Sequence, residues 1–165
     1  EALSKVAAPR VVIDVGCGSG GVAQAFVQTG CRVIAFDAST SAVRLARDKG
    51  VDARHLNLVK ATQVPAKGDL TISLEVAEHL PERHARHFCQ LLAESAPVVA
   101  MTAAPPGQTG HLHVNEQPRE YWVDLMDQCG MACDQAAVRR CRAIFDGRML
   151  TDYDANLMVF RRRYD

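Results

Sequence analysis

The sequence predicts an α/β fold: a doubly wound, mostly parallel sheet of seven strands with helices on both faces and an antiparallel C-terminal hairpin. Three observations carry this. Short runs rich in β-branched apolar residues recur along the chain and are bounded by glycine or polar turn residues, as strands buried on both faces require. Between them lie segments with apolar residues at helical spacing, the alternation expected of parallel strands joined by crossover helices. The first run, Val11-Val12-Ile13-Asp14-Val15, breaks into Gly16-Cys17-Gly18-Ser19-Gly20-Gly21. A strand, a glycine turn and a helix N-terminus in that order form a cradle of nucleotide size.

The elements follow in order. Glu1 to Pro9 reads as the end of a helix and a short link. After the glycine turn a helix runs from Val22 to Gln28 and stops at Gly30. Cys31 to Phe36 is the second strand, ending at Asp37. An acid at the end of the second strand, about 20 residues past the glycine turn, is placed to accept hydrogen bonds from both hydroxyls of a ribose. Asp37 is also available as a helix cap, a role open equally to Ser39 and Thr40. Ser41 to Lys49 is a helix closed by Gly50, and Val51 to Leu58 is the third strand, with Asn57 near its end. Asn57 is read either as a partner of an adenine amino group or as turn chemistry. Gly68 to Leu74 gives a turn and a fourth strand, running into Glu75-Val76-Ala77-Glu78-His79-Leu80-Pro81. A helix over Glu82 to Ser95 presents Phe88, Leu91 and Leu92 to the core, and Pro97 to Thr102 is the fifth strand.

Prolines and glycines make Ala103 to Gln117 a loop. It leaves the carboxyl end of a parallel strand, on the ligand side of such a sheet, and carries His111, His113, Asn115, Glu116 and Gln117. Pro118 to Cys129 is a helix with Tyr121, Trp122, Leu125 and Met126 as its packing stripe. Two antiparallel strands, Ala132 to Arg140 and Asn156 to Arg162, joined by a turn-rich excursion, complete the sheet through Val159 and Phe160.

At 165 residues the chain reads as one domain. Lysine and arginine together number 19, as do aspartate and glutamate, so no net charge draws the chain toward nucleic acid or an anionic membrane. No apolar run approaches the roughly 20 residues of a membrane span. No signal peptide is visible, and the six cysteines lack C-x-x-C spacing, which disfavours a zinc site. Scattered through apolar stretches, they read as reduced core thiols of a cytoplasmic protein.

The G-x-G-x-G turn with Asp14 two residues before its first glycine resembles motif I of the class I S-adenosylmethionine (SAM)-dependent methyltransferases. The stretch Ser73 to Pro81 is similar to the E-x-x-E-H-[LI] segment that many of them carry after strand four. A third point is Pro106-Gly107-Gln108, then His113-Val114-Asn115-Glu116-Gln117, then Tyr121-Trp122. This looks like a small bacterial branch that continues from E-V-A-E-H-L into A-A-x-P-G-Q and H-V-N-E-Q-x-x-x-Y-W. The resemblance covers about Val11 to Gly130, and Asn156 to Phe160 fits it too; Ala103, where a polar residue is common, and the pairing of His113 with His111 depart from it. It implies a Rossmann-like fold, SAM as cofactor and S-adenosylhomocysteine as product. By the same resemblance Asp14, Gly16, Cys17, Gly18 and Gly20 hold the methionine end, Asp37 and Ala38 the ribose, Asn57 and Leu58 the adenine, and Leu74 lines the site at the end of strand four.

A sulfonium donor needs an acceptor in near-attack geometry and, for a hydroxyl, a base. His79, His111 and His113 are the candidate bases by their near-neutral titration, with Glu75 beside them at the mouth of strand four. His79 can instead orient the turn through the backbone, and Glu75 can instead serve as a helix N-terminal acid. The expected reaction is methyl transfer to the oxygen of a small-molecule or saccharide-type acceptor, without a metal. In a second reading a helix beginning at Glu75 sets Glu75, Glu78 and His79 on one face, and with His111 they hold a divalent ion such as Mg²⁺ or Mn²⁺. That set is similar to the one in small-RNA 3′-terminal 2′-O-methyltransferases, although neutral charge and the lack of a basic or aromatic stripe disfavour RNA. Two other classes stand beside these: a SAM-binding partner subunit without catalysis, and an NAD(P) oxidoreductase, which the G-x-G-x-G spacing disfavours. A core of this size uses its own loops, a protein-borne acceptor, or a neighbouring domain or subunit.

Overall fold

A computed structural model describes residues 2–145 and 155–163. Its elements are α1 (Ala2–Ala7), β1 (Val11–Val15), α2 (Gly21–Gln28), β2 (Arg32–Asp37), α3 (Thr40–Asp48), β3 (Asp52–His55), β4 (Leu70–Ser73), α4 (Ala85–Ser95), β5 (Val98–Met101), α5 (Arg119–Gln128), β6 (Met131–Cys133), α6 (Gln135–Phe145) and β7 (Met158–Arg162). Seven described strands form one sheet in the order β3-β2-β1-β4-β5-β7-β6. Strands β1 to β5 pair in parallel, while β7 runs antiparallel to both β5 and β6. The strand order reverses at β1, so β1 and β4 flank the switch point where open α/β sheets bind ligands.

The apolar runs alternate between two cores. Ile13 and Val15 of β1 join Phe36, Val99 and Met101 on one face, covered by Phe88, Leu91 and Leu92 of α4 and Trp122 and Met126 of α5. Val12, Val33, Ala35, Leu70 and Ile72 point to the other face, covered by Phe26 of α2, Val43 and Ala46 of α3, and Ala137, Val138 and Cys141 of α6. Period-two alternation within each strand thus supplies both faces of the sheet. No described helix is long and apolar enough to cross a membrane, and the six cysteines are free.

Two expected elements differ. The strand expected over Ala132 to Arg140 ends at Cys133, and a helix takes over at Gln135. Asp134 is the cause: its Oδ1 accepts from the Ala137 N–H at 2.8 Å and its carbonyl from the Val138 N–H at 3.1 Å, satisfying the free donors of a helix start. Ala137, Val138 and Cys141 then lie buried at helical spacing. The helix that the metal reading starts at Glu75 is a single tight 3₁₀ turn over Ala77–His79, because Glu75 itself has a left-handed backbone (φ 56°) that no α-helix accepts. The excursion expected between the last two strands lies partly outside the described residues.

Candidate active site

The glycine turn divides its labour among three glycines, all with positive φ: Gly16 (84°), Gly18 (52°) and Gly20 (78°). A Cβ on Gly16 would stand 2.3 Å from Cγ2 of Val76, and one on Gly20 would stand 2.7 Å from Cβ of Ala46. These two glycines serve close packing of the turn, against the post-β4 segment and against α3. At Gly18 a Cβ would meet nothing within 4 Å. There the backbone faces open space, which suits close approach of a ligand. The turn is pinned by Gly16 and Cys17, whose N–H groups both donate to the Phe36 carbonyl at 2.7 and 3.0 Å.

Two carboxylates meet this turn. Asp37, at the end of β2, accepts from the Gly18 N–H at 2.9 Å and the Ser39 N–H at 2.8 Å, and remains half-buried at the sheet's carboxyl edge. Ser39, not Asp37, caps α3: its hydroxyl accepts from the Ala42 N–H. Asp14 is 3% exposed, and its Oδ2 has no hydrogen-bond partner among the described residues. Burial, with the Asp37 charge adding to it, pushes its pKa up to about 7. An orphaned buried carboxyl beside an open glycine is a partner for a cationic ligand, and the ammonium and sulfonium of SAM fit that requirement. The Cys17 thiol is pushed up to about 12, by burial first and then by Asp14 and Asp37, which leaves it protonated and unreactive at neutral pH.

Asp14 leads to a prediction about stability. The unfolded chain releases this proton near 3.8 and the folded chain near 7, so the folded state holds the extra proton between these values. Stability of the unliganded protein therefore falls as pH rises from about 4 to 7, by at most a few kcal/mol from this group. Asp14→Asn removes the effect. Denaturant unfolding at pH 4.5 and 8 is expected to show the variant gaining on the wild type at the higher pH, and parallel profiles would contradict this reading of Asp14.

Across the turn, the chain leaves β4 through Leu74 and Glu75. The Glu75 N–H donates to the Thr102 hydroxyl at 2.8 Å, and that hydroxyl donates to Glu75 Oε1 at 2.7 Å. Thr102, fully buried at the end of β5, thus fixes Glu75 in its strained conformation from both backbone and side chain. Ser73 adds a bond from its hydroxyl to the Val15 carbonyl at 2.7 Å, tying the ends of β4 and β1 together.

The 103–117 loop docks on the Ala77–His79 turn, with the N–H groups of Val114 and Asn115 donating to the Glu78 carbonyl. This brings His79 and His113 together, their ring centroids 5.1 Å apart and nearly perpendicular. His79 Nδ1 lies 3.2 Å from the Leu112 carbonyl, and His113 Nδ1 lies 2.9 Å from Glu116 Oε1. A carbonyl or a carboxylate can only accept, so in each neutral ring Nδ1 carries the proton and Nε2 keeps its lone pair. Glu116 Oε2 also accepts from the Gly107 N–H at 2.9 Å, and these bonds hold its carboxyl below the usual range. Glu78 is fully buried with no hydrogen-bond donor of good geometry on either carboxylate oxygen, and burial first, then the adjacent Glu75 carboxylate, pushes its pKa up to about 7.

The structure therefore gathers Asp14, Gly16, Cys17, Gly18, Gly20 and Asp37 at one edge, with the Glu75–His79 turn packed on them through Val76. Asn57 follows β3, and its Oδ1 accepts from the Val59 N–H at 3.0 Å, so the turn chemistry is realised there. Ala38 is exposed, while Leu58 and Leu74 are partly buried. His111 is exposed and stands outside the imidazole cluster; the loop ring that pairs with His79 is His113. Glu75 bonds Thr102 and lies beside the Glu78 carboxyl, but it is not one of the three residues Glu78, His79 and His113 whose ligand atoms all lie within 4.8 Å of one another. The alternative metal set, Glu75, Glu78 and His79 on one helix face with His111 from the loop, is thus replaced by Glu78, His79 and His113, which a tight turn and a loop supply. Thr102 went unnoticed in the sequence, where it reads only as the last residue of a strand. Glu116, three residues after His113, was visible as a possible ring partner.

The family described as "Methyltransferase domain" matches residues 13–98, just over half of the chain. A ubiquinone biosynthesis O-methyltransferase of Azotobacter vinelandii is 28% identical over 127 residues, which is 72% of this chain and 50% of the relative. The chain thus spans about half the length of the curated relatives it matches. Among solved structures, the sugar N-methyltransferase KedS8 of a Streptoalloteichus species superposes with TM-score 0.76 at 13% identity, over 98% of this chain and 84% of that one. Magnesium protoporphyrin IX methyltransferase of Synechocystis with bound S-adenosylhomocysteine superposes with TM-score 0.71 at 18% identity, over 92% and 74%.

Proposed function

This chain belongs to the SAM-dependent class I methyltransferase family, and on that premise we propose that it transfers a methyl group to a hydroxyl oxygen of a small-molecule acceptor. The observation that carries the reading is the pair of imidazoles, His79 and His113, whose Nδ1 atoms are both anchored so that both Nε2 lone pairs remain available. Bound SAM supplies a methyl group activated by positive charge on sulfur. Asp14 and the backbone at Gly18 would hold its amino-acid end, and Asp37 its ribose. The remaining work falls to the chain: to place the acceptor oxygen and to take its proton. His113 Nε2 is the proposed base, with Glu116 stabilising the imidazolium that results, as a carboxylate on Nδ1–H does.

Leu112 and Val114 are 69% and 61% exposed on either side of His113, an apolar rim that favours an acceptor with an apolar body beside its hydroxyl. The name of the Azotobacter relative, an O-methyltransferase, supports oxygen as the acceptor atom; the KedS8 name supports keeping sugars among the acceptors to be tried. The test is transfer of labelled methyl from SAM across a panel of phenolic and sugar hydroxyls. On an acceptor that turns over, His113→Ala is expected to lower kcat by about 10²–10⁴ and to remove the acidic limb of the pH profile. Full turnover by the variant would end the claim for His113.

A further inference from the structure

We propose that Glu78, His79 and His113 form a binding site for a divalent transition-metal ion. Their ligand atoms lie within 4.8 Å of one another, one each from a carboxylate and two imidazoles. A tetrahedral site with bonds of about 2.1 Å sets its ligands roughly 3.4 Å apart, so the three need to draw in by about an ångström. The loop that carries His113 contains Gly107 and Gly110, and a Cβ on Gly110 would stand 2.2 Å from His113 Nε2. Only glycine there leaves that face of the ring clear.

Both histidines have the second partner that a metal-bound imidazole needs. His79 donates through Nδ1 to the Leu112 carbonyl and His113 through Nδ1 to Glu116, which leaves the Nε2 lone pair of each neutral ring free. Glu78 supplies a second sign of a missing ligand: a wholly buried carboxyl with no protein hydrogen-bond donor of good geometry on either oxygen, set beside the like-charged Glu75. A buried charge is retained when it is paired or coordinates a metal. Two nitrogens and one oxygen suit Zn²⁺, Mn²⁺ or Co²⁺ better than Mg²⁺ or Ca²⁺, which prefer all-oxygen shells. Three protein ligands leave positions open for oxygen atoms of an acceptor.

The inference deepens the proposed reaction and rests on its placement of the acceptor at this cluster. With the cation bound, the two Nε2 lone pairs would serve it as ligands, and the cation would lower the acceptor hydroxyl's pKa so that its proton leaves to solvent rather than to His113. The experiment uses the chain stripped with chelator and titrated with Co²⁺, read by visible absorption and by competition against a chromophoric chelator. One Co²⁺ per chain is expected. Glu78→Gln and the surface variant His79→Ala should each lose more affinity than the ~10–100-fold that loss of an outer partner costs, and Glu116→Ala should fall within that range. His111→Ala should bind as the wild type does, and circular dichroism checks that each variant is folded. No stoichiometric Co²⁺ in the wild type, or equal binding in the His79 and Glu78 variants, overturns the site. Methyl transfer on the acceptor panel, run with chelator and with Zn²⁺, separates the two proposals. Transfer unchanged by chelation keeps the imidazole base and removes the cation's role in the reaction, and bound metal without transfer to any acceptor removes the proposed reaction while keeping the site.

Discussion

Gly16→Ala is expected to cost the protein a few kcal/mol of stability and to abolish SAM binding at micromolar concentrations. The added Cβ would stand 2.3 Å from Val76 Cγ2 and 3.1 Å from Val76 Cγ1, on a backbone with φ of 84°. Left-handed backbone costs an L-residue about 1–2 kcal/mol, and inserting a methyl into a filled site adds about 1–3 kcal/mol. Relief requires Val76 to move, and Val76 sits in the segment that carries Glu75, Glu78 and His79. The damage therefore spreads from the cofactor cradle to the acceptor side. Gly18→Ala is the informative comparison, because its Cβ meets no protein atom within 4 Å. It should lose about 1 kcal/mol of stability, from backbone strain alone, and still bind SAM poorly if the ligand lies against that backbone. Urea unfolding and calorimetric titration separate the two effects. Wild-type stability in Gly16→Ala would contradict the packing role assigned to that glycine.

Asp37→Ala is expected to weaken SAM binding by about 1.5–3 kcal/mol, the value of hydrogen bonds to a charged group. That is roughly a ten- to hundredfold rise in Kd. The carboxylate has two tasks: it orders the glycine turn through the Gly18 N–H and begins the path into α3 through the Ser39 N–H. Both donors lie where water can replace the lost acceptor, so the stability loss should be smaller than the binding loss. Asp37→Asn keeps one carbonyl-type acceptor and is expected to fall between the wild type and the alanine variant. An unchanged Kd in Asp37→Ala would remove this residue from the ribose site.

The parts of the fold that obey local rules were legible in the sequence. Val11 to Val15 and Arg32 to Asp37 have the composition of doubly buried strands, and the glycines after Val15 mark a turn that few other residues can make. Ala132 to Arg140 misled because Ala137, Val138 and Cys141 suit a strand or a helix alone. The choice was made by Asp134, whose capping bonds are visible only once its backbone is placed. The Glu75–His79 segment misled for a related reason: E-x-x-E-H reads at helical spacing, but Thr102, 27 residues away, holds Glu75 in the left-handed region. The choice of His113 over His111 rests on loop docking through the Glu78 carbonyl and on the Glu116 contact. Tertiary contacts of this kind have no local signature.

The proposed function rests on SAM binding by the glycine turn, Asp14 and Asp37. Calorimetric titration of the purified chain with SAM, repeated with S-adenosylhomocysteine and with NAD, tests it most directly. One micromolar site per chain is expected for SAM and for S-adenosylhomocysteine, competitive with each other, and no binding of NAD. No binding of SAM to the folded chain, or binding of NAD in its place, would contradict it.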